Sequence, residues 1–286
     1  MPATDADAEL SLVIGGEGRN QVEIFSNKDL NCKTTSLASI PTGQVRNPVL
    51  VLLSGNIVSC DSDSCWKYNV EDNKWKLYSN TPSHSPIGFS VGQTYNEKLY
   101  LSHGDDFILF DSTIKEWKVL PKPIHNVGEG SCALTRKDSL YVFGGRLNSK
   151  GIIKFHFQNQ RWDMLYTKAP LDIVYSGCVL MNSDAALIVG SENFLFRKTS
   201  SIFDFETLEW RLADITQSDR FGTSLLVINE KIFAVGGGGG SQPSEIIEEF
   251  HPANKSWTET GFKLAFPRSH HSTLTVPVNL FSRLCF

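Results

Sequence analysis

The sequence predicts an all-β fold built from a repeated unit of four short strands. Of its 286 residues, 41% are hydrophobic and 20% are charged, so the chain can bury a core. Short runs of alternating apolar and polar residues occur throughout, and few segments show the spacing of an amphipathic helix. Tryptophan recurs at nearly constant intervals, which indicates that one structural unit is repeated along the chain.

Five tryptophans, separated by 42, 45, 48 and 47 residues, mark the repeat. They are Trp75, Trp117, Trp162, Trp210 and Trp257. Each closes a phrase of aromatic residues and a polar turn, such as FDSTIKEW or FDFETLEW. Two apolar segments lie upstream in each unit. In three units the second of them ends in a glycine pair, at Gly15–Gly16, Gly144–Gly145 and Gly236–Gly237.

The first two units are weaker than the other four. In the first, Cys32 occupies the position where a tryptophan is expected. In the second, Cys60 and Asp61 replace the glycine pair. Six units of about 45 residues, each with four strands, have the size of propeller blades. The sequence therefore predicts a six-bladed β-propeller.

The end of the chain is predicted to close the ring. Unit one lacks its first strand, and the segment FPRSHHSTLTVPV after Trp257 matches the segments that open the other units. We expect residues 271–276 to form the innermost strand of blade 1, because pairing the chain ends removes exposed sheet edges. The predicted organisation is a polar N-terminal tail (1–9), the propeller (10–277) and a C-terminal tail (278–286).

The glycine pairs, the aromatic residue before them (Tyr141 in LYVFGG) and the spaced tryptophans resemble the kelch repeat family. The resemblance covers nearly the whole chain. One such motif alone is a weak signal, but five spaced tryptophans and three glycine pairs in register are a strong one. It implies a six-bladed kelch-type β-propeller. It also implies that a partner protein or peptide binds at one mouth of the channel. That mouth is lined by the inter-blade loops and by the loops between second and third strands.

Aligned inter-blade loops place an arginine before the inner strands of blades 2, 6 and 1, which are neighbours on the closed ring. These are Arg46, Arg220 and Arg268, and Arg19 lies in a blade 1 loop of the same face. Arginine suits bidentate contacts with carboxylates, so this sector predicts an acidic partner segment. The alternative is that the arginines cap carbonyls or form surface ion pairs worth about 0–1 kcal/mol.

The matched positions of blades 3 to 5 are Ile87, Gly128 and Val174. Nearby side chains complete the predicted partner-binding set: His84, His125, Tyr175 and His270. Replacing the three aligned arginines with glutamate is expected to abolish partner capture without lowering the melting temperature.

The six cysteines bear on the compartment. Cys60 and Cys65 flank a four-residue hairpin loop, where cross-strand neighbours lie about 5.5 Å apart, within disulfide reach. A bridge and two free thiols both remain open. Cys132 and Cys178 are expected to be small buried fillers near the axis. Some extracellular kelch proteins carry cysteines in such loops, which favours secretion, whereas no signal peptide is visible at the N-terminus. Extracellular and cytoplasmic locations both stay open.

The sequence contains no HExxH motif of a zinc protease. The run GGGGGS at 236–241 lacks the Lys-Ser or Lys-Thr of a phosphate-binding loop. We therefore predict a non-enzymatic protein-interaction module, a monomeric propeller without cofactor or metal. The formal net charge of −4 argues against nucleic acid as a partner, and no apolar run approaches the roughly 20 residues of a membrane span.

Two alternatives remain. One is a substrate adaptor of a ubiquitin ligase that lacks the usual N-terminal domains. The other is a propeller enzyme similar to sugar mutarotases or oxidases, since fold does not fix function. In that case Glu129, His125 and Arg220 are the residues expected to supply the acid and the base.

Overall fold

The computed structural model is nearly all β. It describes residues 8–16, 19–27, 37–41, 47–61, 63–82, 91–103, 106–126, 128–239 and 242–281. In these residues, 23 strands form six antiparallel sheets. The innermost strands of consecutive sheets are neighbours all the way round a ring, which confirms the predicted six-bladed propeller. No helix within the described ranges is long and apolar enough to cross a membrane.

The strands of blades 2 to 6 run outward from the channel in chain order. Blade 1 begins with β1 (Glu9–Gly15) and β2 (Val22–Phe25). Blade 2 contains β3 (Val49–Leu53), β4 (Asn56–Cys60), β5 (Ser64–Asn69) and β6 (Lys74–Asn80). Blade 3 contains β7 (Val91–Tyr95), β8 (Lys98–His103), β9 (Asp106–Asp111) and β10 (Glu116–Val119).

The same order holds in the second half of the ring. Blade 4 contains β11 (Cys132–Arg136), β12 (Ser139–Phe143), β13 (Ile152–His156) and β14 (Arg161–Leu165). Blade 5 contains β15 (Gly177–Leu180), β16 (Ala185–Val189), β17 (Ser200–Asp204) and β18 (Trp210–Ala213). Blade 6 contains β19 (Ser224–Ile228), β20 (Lys231–Val235), β21 (Ser244–His251) and β22 (Ser256–Arg268).

The last strand, β23 (His271–Pro277), closes the ring as predicted. It pairs antiparallel with β1 from Glu9↔Pro277 to Gly15↔His271 and forms the innermost strand of blade 1. A short 3-10 helix, Val278–Phe281, follows, and both of its end residues are buried in the core shared by blades 1 and 2. The outer strand predicted around Cys32 lies outside the described residues.

Tryptophans of the outer strands tie each blade to the one before it. The Trp75 Nε1 group donates to the carbonyl oxygen of Ala38 at 2.9 Å, ahead of blade 2. The Trp162 Nε1 group donates to Pro121 O at 2.9 Å, between blades 3 and 4. The five clusters that contain these tryptophans each mix residues of two neighbouring blades. The packing between sheets thus uses one such tryptophan in each of blades 2 to 6, which explains the period seen in the sequence.

Glycine is required where the second strand ends, because the inter-blade loop crosses directly above it. Gly144 and Gly190 have φ of +64° and +77°. A Cβ atom on Gly144 would lie 2.0 Å from the carbonyl oxygen of Ile173, and one on Gly190 would lie 2.0 Å from that of Arg220. Any side chain would therefore push the loops away from the blade and disturb the mouth of the channel.

Candidate functional site

The inter-blade loops and the loops between second and third strands meet on one face, around the channel mouth. Four backbone hydrogen bonds join the inter-blade loops in a chain. Each N–H donates to the carbonyl of the preceding blade: Tyr175 to Gly130 (2.7 Å), Gly222 to Tyr175 (2.9 Å), His270 to Gly222 (2.8 Å) and Asn47 to His270 (2.9 Å). All five residues have positive φ, between 49° and 74°. The rim is thereby fixed by satisfied backbone groups.

A cavity of about 280 Å³ lies inside this mouth, with walls formed by the first residues of the inner strands of all six blades. Among the described residues that line it, Glu129 is the only one with a charged side chain. The Tyr175 hydroxyl donates to Glu129 Oε2 at 2.5 Å. Burial, with the Glu129 contact second, raises the pKa of Tyr175 to about 12. Tyr175 is therefore a neutral hydrogen-bond donor at physiological pH.

Aromatic rings surround this pair on the rim. Phe221 and His270 meet the Tyr175 ring edge-on, with centroids 5.6 and 4.8 Å away. The Arg146 guanidinium lies 5.4 Å from the Tyr175 centroid and forms an ion pair with Glu192 of the next blade. The loops of blades 4 and 5 are thus joined at the mouth.

Arg220 is buried and does not face the mouth. Its side chain has no exposed surface, and its Nη2 donates to Glu248 Oε1 at 2.5 Å. Its Nη1 also donates to the carbonyls of Gly236 and Ile246 at 2.7 and 2.8 Å. Burial lowers the pKa of Arg220, and the Glu248 carboxylate opposes this change. Glu248 in turn accepts from two backbone N–H groups of the loop between blades 5 and 6.

Arg268 repeats this arrangement in blade 1. Its Nε donates to Glu23 Oε1 at 2.7 Å, and its Nη1 donates to Gly15 O at 2.5 Å. The other Glu23 oxygen accepts from the N–H of Ala265 at 2.7 Å. Each arginine–glutamate pair therefore fastens an inter-blade loop to the third strand of the following blade. Both guanidinium groups are withdrawn from solvent, so the expectation that Arg220 and Arg268 contact a partner is wrong.

The remaining predicted residues are not gathered in one basic sector. Arg19 is half-buried, with its guanidinium 5.1 Å from the Phe266 ring centroid. His125 is exposed, whereas Tyr175 and His270 line the cavity. Arg46 and His84 lie outside the described residues.

The residues considered for catalysis differ in their surroundings. Glu129 lines the channel, His125 is exposed earlier in the same inter-blade loop, and Arg220 is held in its buried ion pair. In the part of the chain that the structure describes, no three His, Cys, Asp or Glu side chains are grouped to hold a metal ion.

Two cysteine pairs are bonded. Cys60 and Cys65 are cross-strand partners of β4 and β5, with Cα atoms 4.0 Å apart. Cys132 and Cys178, on the inner strands β11 and β15, join blades 4 and 5, with Cα atoms 6.1 Å apart. Cys132 and Cys178 are bonded to each other and are only half-buried, so the expectation that they are small buried fillers is wrong. Cys32 and Cys285 lie outside the described residues.

His271 is a buried histidine at the closure of the ring. Its position is taken by Ser176 and Thr223 in blades 5 and 6, whose hydroxyls donate to Gly190 O and Val235 O. Neither ring nitrogen of His271 forms a hydrogen bond of standard geometry. Burial, followed by the charge of Arg268, lowers its pKa from 6.5 to about 3. The His271 ring is therefore neutral in the folded protein at physiological pH.

This histidine predicts a stability that falls as the pH falls. The folded-state pKa lies below the unfolded value, so the unfolded chain binds more protons between about pH 6.5 and pH 3. Between pH 7 and pH 5 the wild type should lose about 2 kcal/mol more than a His271→Thr variant. Urea unfolding of both proteins at the two pH values measures this difference. Equal losses would contradict the burial of a neutral ring.

Large apolar side chains are exposed on the loops of blades 4 and 5 beside the mouth. Leu147 is 67% exposed, Phe194 74% and Leu195 66%. We call these three residues the blade 4–5 ridge. Leu147 follows Arg146 directly, Phe194 lies two residues beyond Glu192, and the ion pair joins the two loops. The sequence reasoning missed this ridge, although Leu147 and Phe194–Leu195 follow the glycine positions at which second strands end.

Comparisons with known proteins agree with the architecture. The kelch motif family model matches residues 219–260, which span the loop before blade 6 and most of that blade. Kelch-like protein 25 of Homo sapiens is 22% identical over 312 aligned positions, covering 83% of this chain. Kelch-like protein 25 of Xenopus tropicalis is 22% identical over 153 positions, covering 52% of this chain. The chain spans 52% of the human protein's length and 25% of the frog protein's.

A solved structure shares the fold. The structure of YjhT superposes with a TM-score of 0.67 at 13% identity, covering 90% of this chain and all of that one. At this identity the likeness concerns the fold alone. The closed ring of six sheets is a β-propeller, and the motif in blade 6 and the Kelch-like relatives show that the chain is similar to kelch-repeat proteins.

Proposed function

We propose that this propeller is a non-enzymatic interaction module that binds a partner protein or peptide on the blade 4–5 ridge, beside the channel mouth. The observation that carries the proposal is the exposure of Leu147, Phe194 and Leu195 on two adjoining loops. Exposed large apolar side chains that are grouped on one face of a protein are typical of protein–protein contact sites. A kelch propeller with Kelch-like relatives supports an interaction module in general.

The loops that carry the ridge are held in place before any partner arrives. Arg146 pairs with Glu192 across the two blades. Asp172, in the loop between the blades, accepts from the Ser149 hydroxyl at 2.7 Å and from the Asn193 amide at 3.4 Å. Ordering a loop on binding costs conformational entropy, so loops that are already fixed favour affinity.

The hypothesis of an acidic partner rested on three aligned arginines. Two of them, Arg220 and Arg268, are held in buried ion pairs. His125 and His270 remain candidates for polar contacts beside the ridge, whereas the predicted contacts of Arg19, Arg46 and His84 stay separate predictions. Contacts of this kind at the rim of an interface mainly affect the association rate and the choice of partner. An adaptor role in a larger assembly would use the same face.

A selection from a random peptide library on the immobilised propeller tests this proposal. Peptides selected on the wild type should bind a Leu147→Ser/Phe194→Ser variant at least about tenfold more weakly, because burying each such side chain contributes about 1.5–3 kcal/mol. Ile114→Ser is the matched control, since Ile114 is 62% exposed on the opposite face. Peptides that bind both variants as well as the wild type would overturn the ridge assignment.

A further inference from the structure

The channel mouth beside the ridge is a second recognition element. We infer that it accepts one cationic side chain of the partner, a lysine or an arginine, against the Glu129 carboxylate. This inference rests on the proposed function, because it names the chemistry of the partner residue next to the apolar contact. It differs from the acidic partner that the sequence suggested.

The charge of the cavity wall supports a cation. Glu129 is the only charged residue among the described residues that line the cavity. The two nearby arginines that the sequence offered for anion binding, Arg220 and Arg268, are neutralised by Glu248 and Glu23 inside the blades. A carboxylate in a concave wall of low dielectric attracts cations and disfavours anions. A partner carboxylate would therefore be repelled at this position.

Glu129 is positioned by its neighbours but is not neutralised by them. It accepts one hydrogen bond, from Tyr175, and no ion pair involves it among the described residues. The nearest guanidinium on the rim, that of Arg146, is engaged with Glu192 and with the face of the Tyr175 ring. The carboxylate thus retains acceptor capacity for an ammonium or guanidinium donor, which makes hydrogen bonds stronger than neutral ones.

Further groups in the wall suit a donor-rich head group. Ser131 also lines the cavity, and a serine hydroxyl accepts hydrogen bonds from N–H donors. Tyr175 and His270 add aromatic surface, with which cations interact favourably.

The size of the cavity points to a side chain. Its volume of about 280 Å³ lies just below the range of pockets that hold drug-sized ligands, about 300–1,000 Å³. The mouth also opens among the loops of blades 4 and 5, where the ridge lies. An extended partner segment can therefore place apolar residues on the ridge and one basic residue in the channel.

Titration with small probes tests the channel independently of any partner. The probes are n-butylammonium, ethylguanidinium, n-butanol and butyrate, and binding is followed by NMR of ring-labelled tyrosine in the full chain. Both cations should shift the Tyr175 signals, while the alcohol and the carboxylate should not. Glu129→Gln should weaken cation binding by about tenfold or more, equivalent to about 1.4 kcal/mol. Glu209→Gln, which removes an equal charge on the opposite face, should change it less than about twofold.

The outcomes separate this inference from the proposed function. Equal binding of butyrate, no binding of either cation, or unchanged binding in Glu129→Gln would overturn the cationic anchor, whatever peptides bind the ridge. Cation binding that depends on Glu129 supports the anchor, even if the ridge variant retains its peptides. The circular dichroism spectrum and melting temperature of Glu129→Gln show whether the variant is folded.

Discussion

Replacing Arg220 with methionine is expected to destabilise the propeller by about 3–5 kcal/mol, because the substitution leaves Glu248 charged and unpaired in the interior. Arg220 and Glu248 have no exposed side-chain surface. The carbonyls of Gly236 and Ile246 would lose their donor as well. The same loss is expected for Arg268→Met, which leaves Glu23 without its guanidinium partner.

Urea unfolding of Arg220→Met measures this effect, with Arg211→Met as the control. Arg211 and Glu209 are 59% and 66% exposed and 3.9 Å apart, so their pair should contribute about 0–1 kcal/mol. A second substitution, Glu248→Leu, should restore part of the stability lost in Arg220→Met, because it removes the uncompensated charge. Equal stability of Arg220→Met and Arg211→Met would contradict a structural role for the buried pair.

Removing the Cys132–Cys178 bond is expected to cost about 4 kcal/mol, and removing Cys60–Cys65 about 2 kcal/mol, in the chain-entropy model of disulfide stabilisation. The difference arises because the first bond closes a loop with a sequence separation of 46 and the second a separation of 5. The first bond also connects two blades through their innermost strands, whereas the second lies within one hairpin.

Unfolding of the two double serine variants, each under non-reducing conditions, measures both contributions. The Cys132→Ser/Cys178→Ser protein should be the less stable, and a reductant should destabilise the wild type by about the sum of the two effects. If reductant leaves the stability of the wild type unchanged, and both variants unfold with the same free energy as the wild type, neither bond stabilises the fold. Mass mapping of the peptides under non-reducing conditions reports the pairing directly.

The architecture was predictable because inter-blade packing favours similar residues at the same position of most units. The tryptophan period and the glycine pairs follow from contacts between neighbouring sheets. Ring closure by residues 271–276 followed from a segment that matched the openings of other units, and the strand is His271–Pro277. These features come from short sequence patterns that recur at regular spacing. Such a pattern can be recognised in a single sequence.

The roles of the arginines were not predictable in the same way. Sequence alignment places Arg220 and Arg268 in loops but cannot tell whether a side chain turns outward or inward. Their partners, Glu248 in SEIIEEFH and Glu23 in VEIF, are 28 and 245 residues away. A single glutamate in VEIF, flanked by buried positions, was the available signal for such a pair.

The cysteine pair and the ridge illustrate a second limit. Cys132 and Cys178 hold the same position in consecutive units, so a bond between neighbouring inner strands could be inferred from the repeat once the blade order is fixed. The exposure of Leu147 and Phe194 depends on the path of loops that do not repeat in length between blades. Only coordinates show that these loops meet beside the channel mouth.

Amide hydrogen exchange of the propeller with and without a selected peptide tests the central claim most directly, because local protection reports where the partner lies. Binding on the blade 4–5 ridge predicts protection of the loops over residues 144–151 and 190–199, together with the segment that contains Glu129. The segment that contains Arg19 and the end of β22 over residues 264–268 should exchange as in the free protein. Protection confined to those latter segments would contradict the ridge and return the binding site to blades 6 and 1.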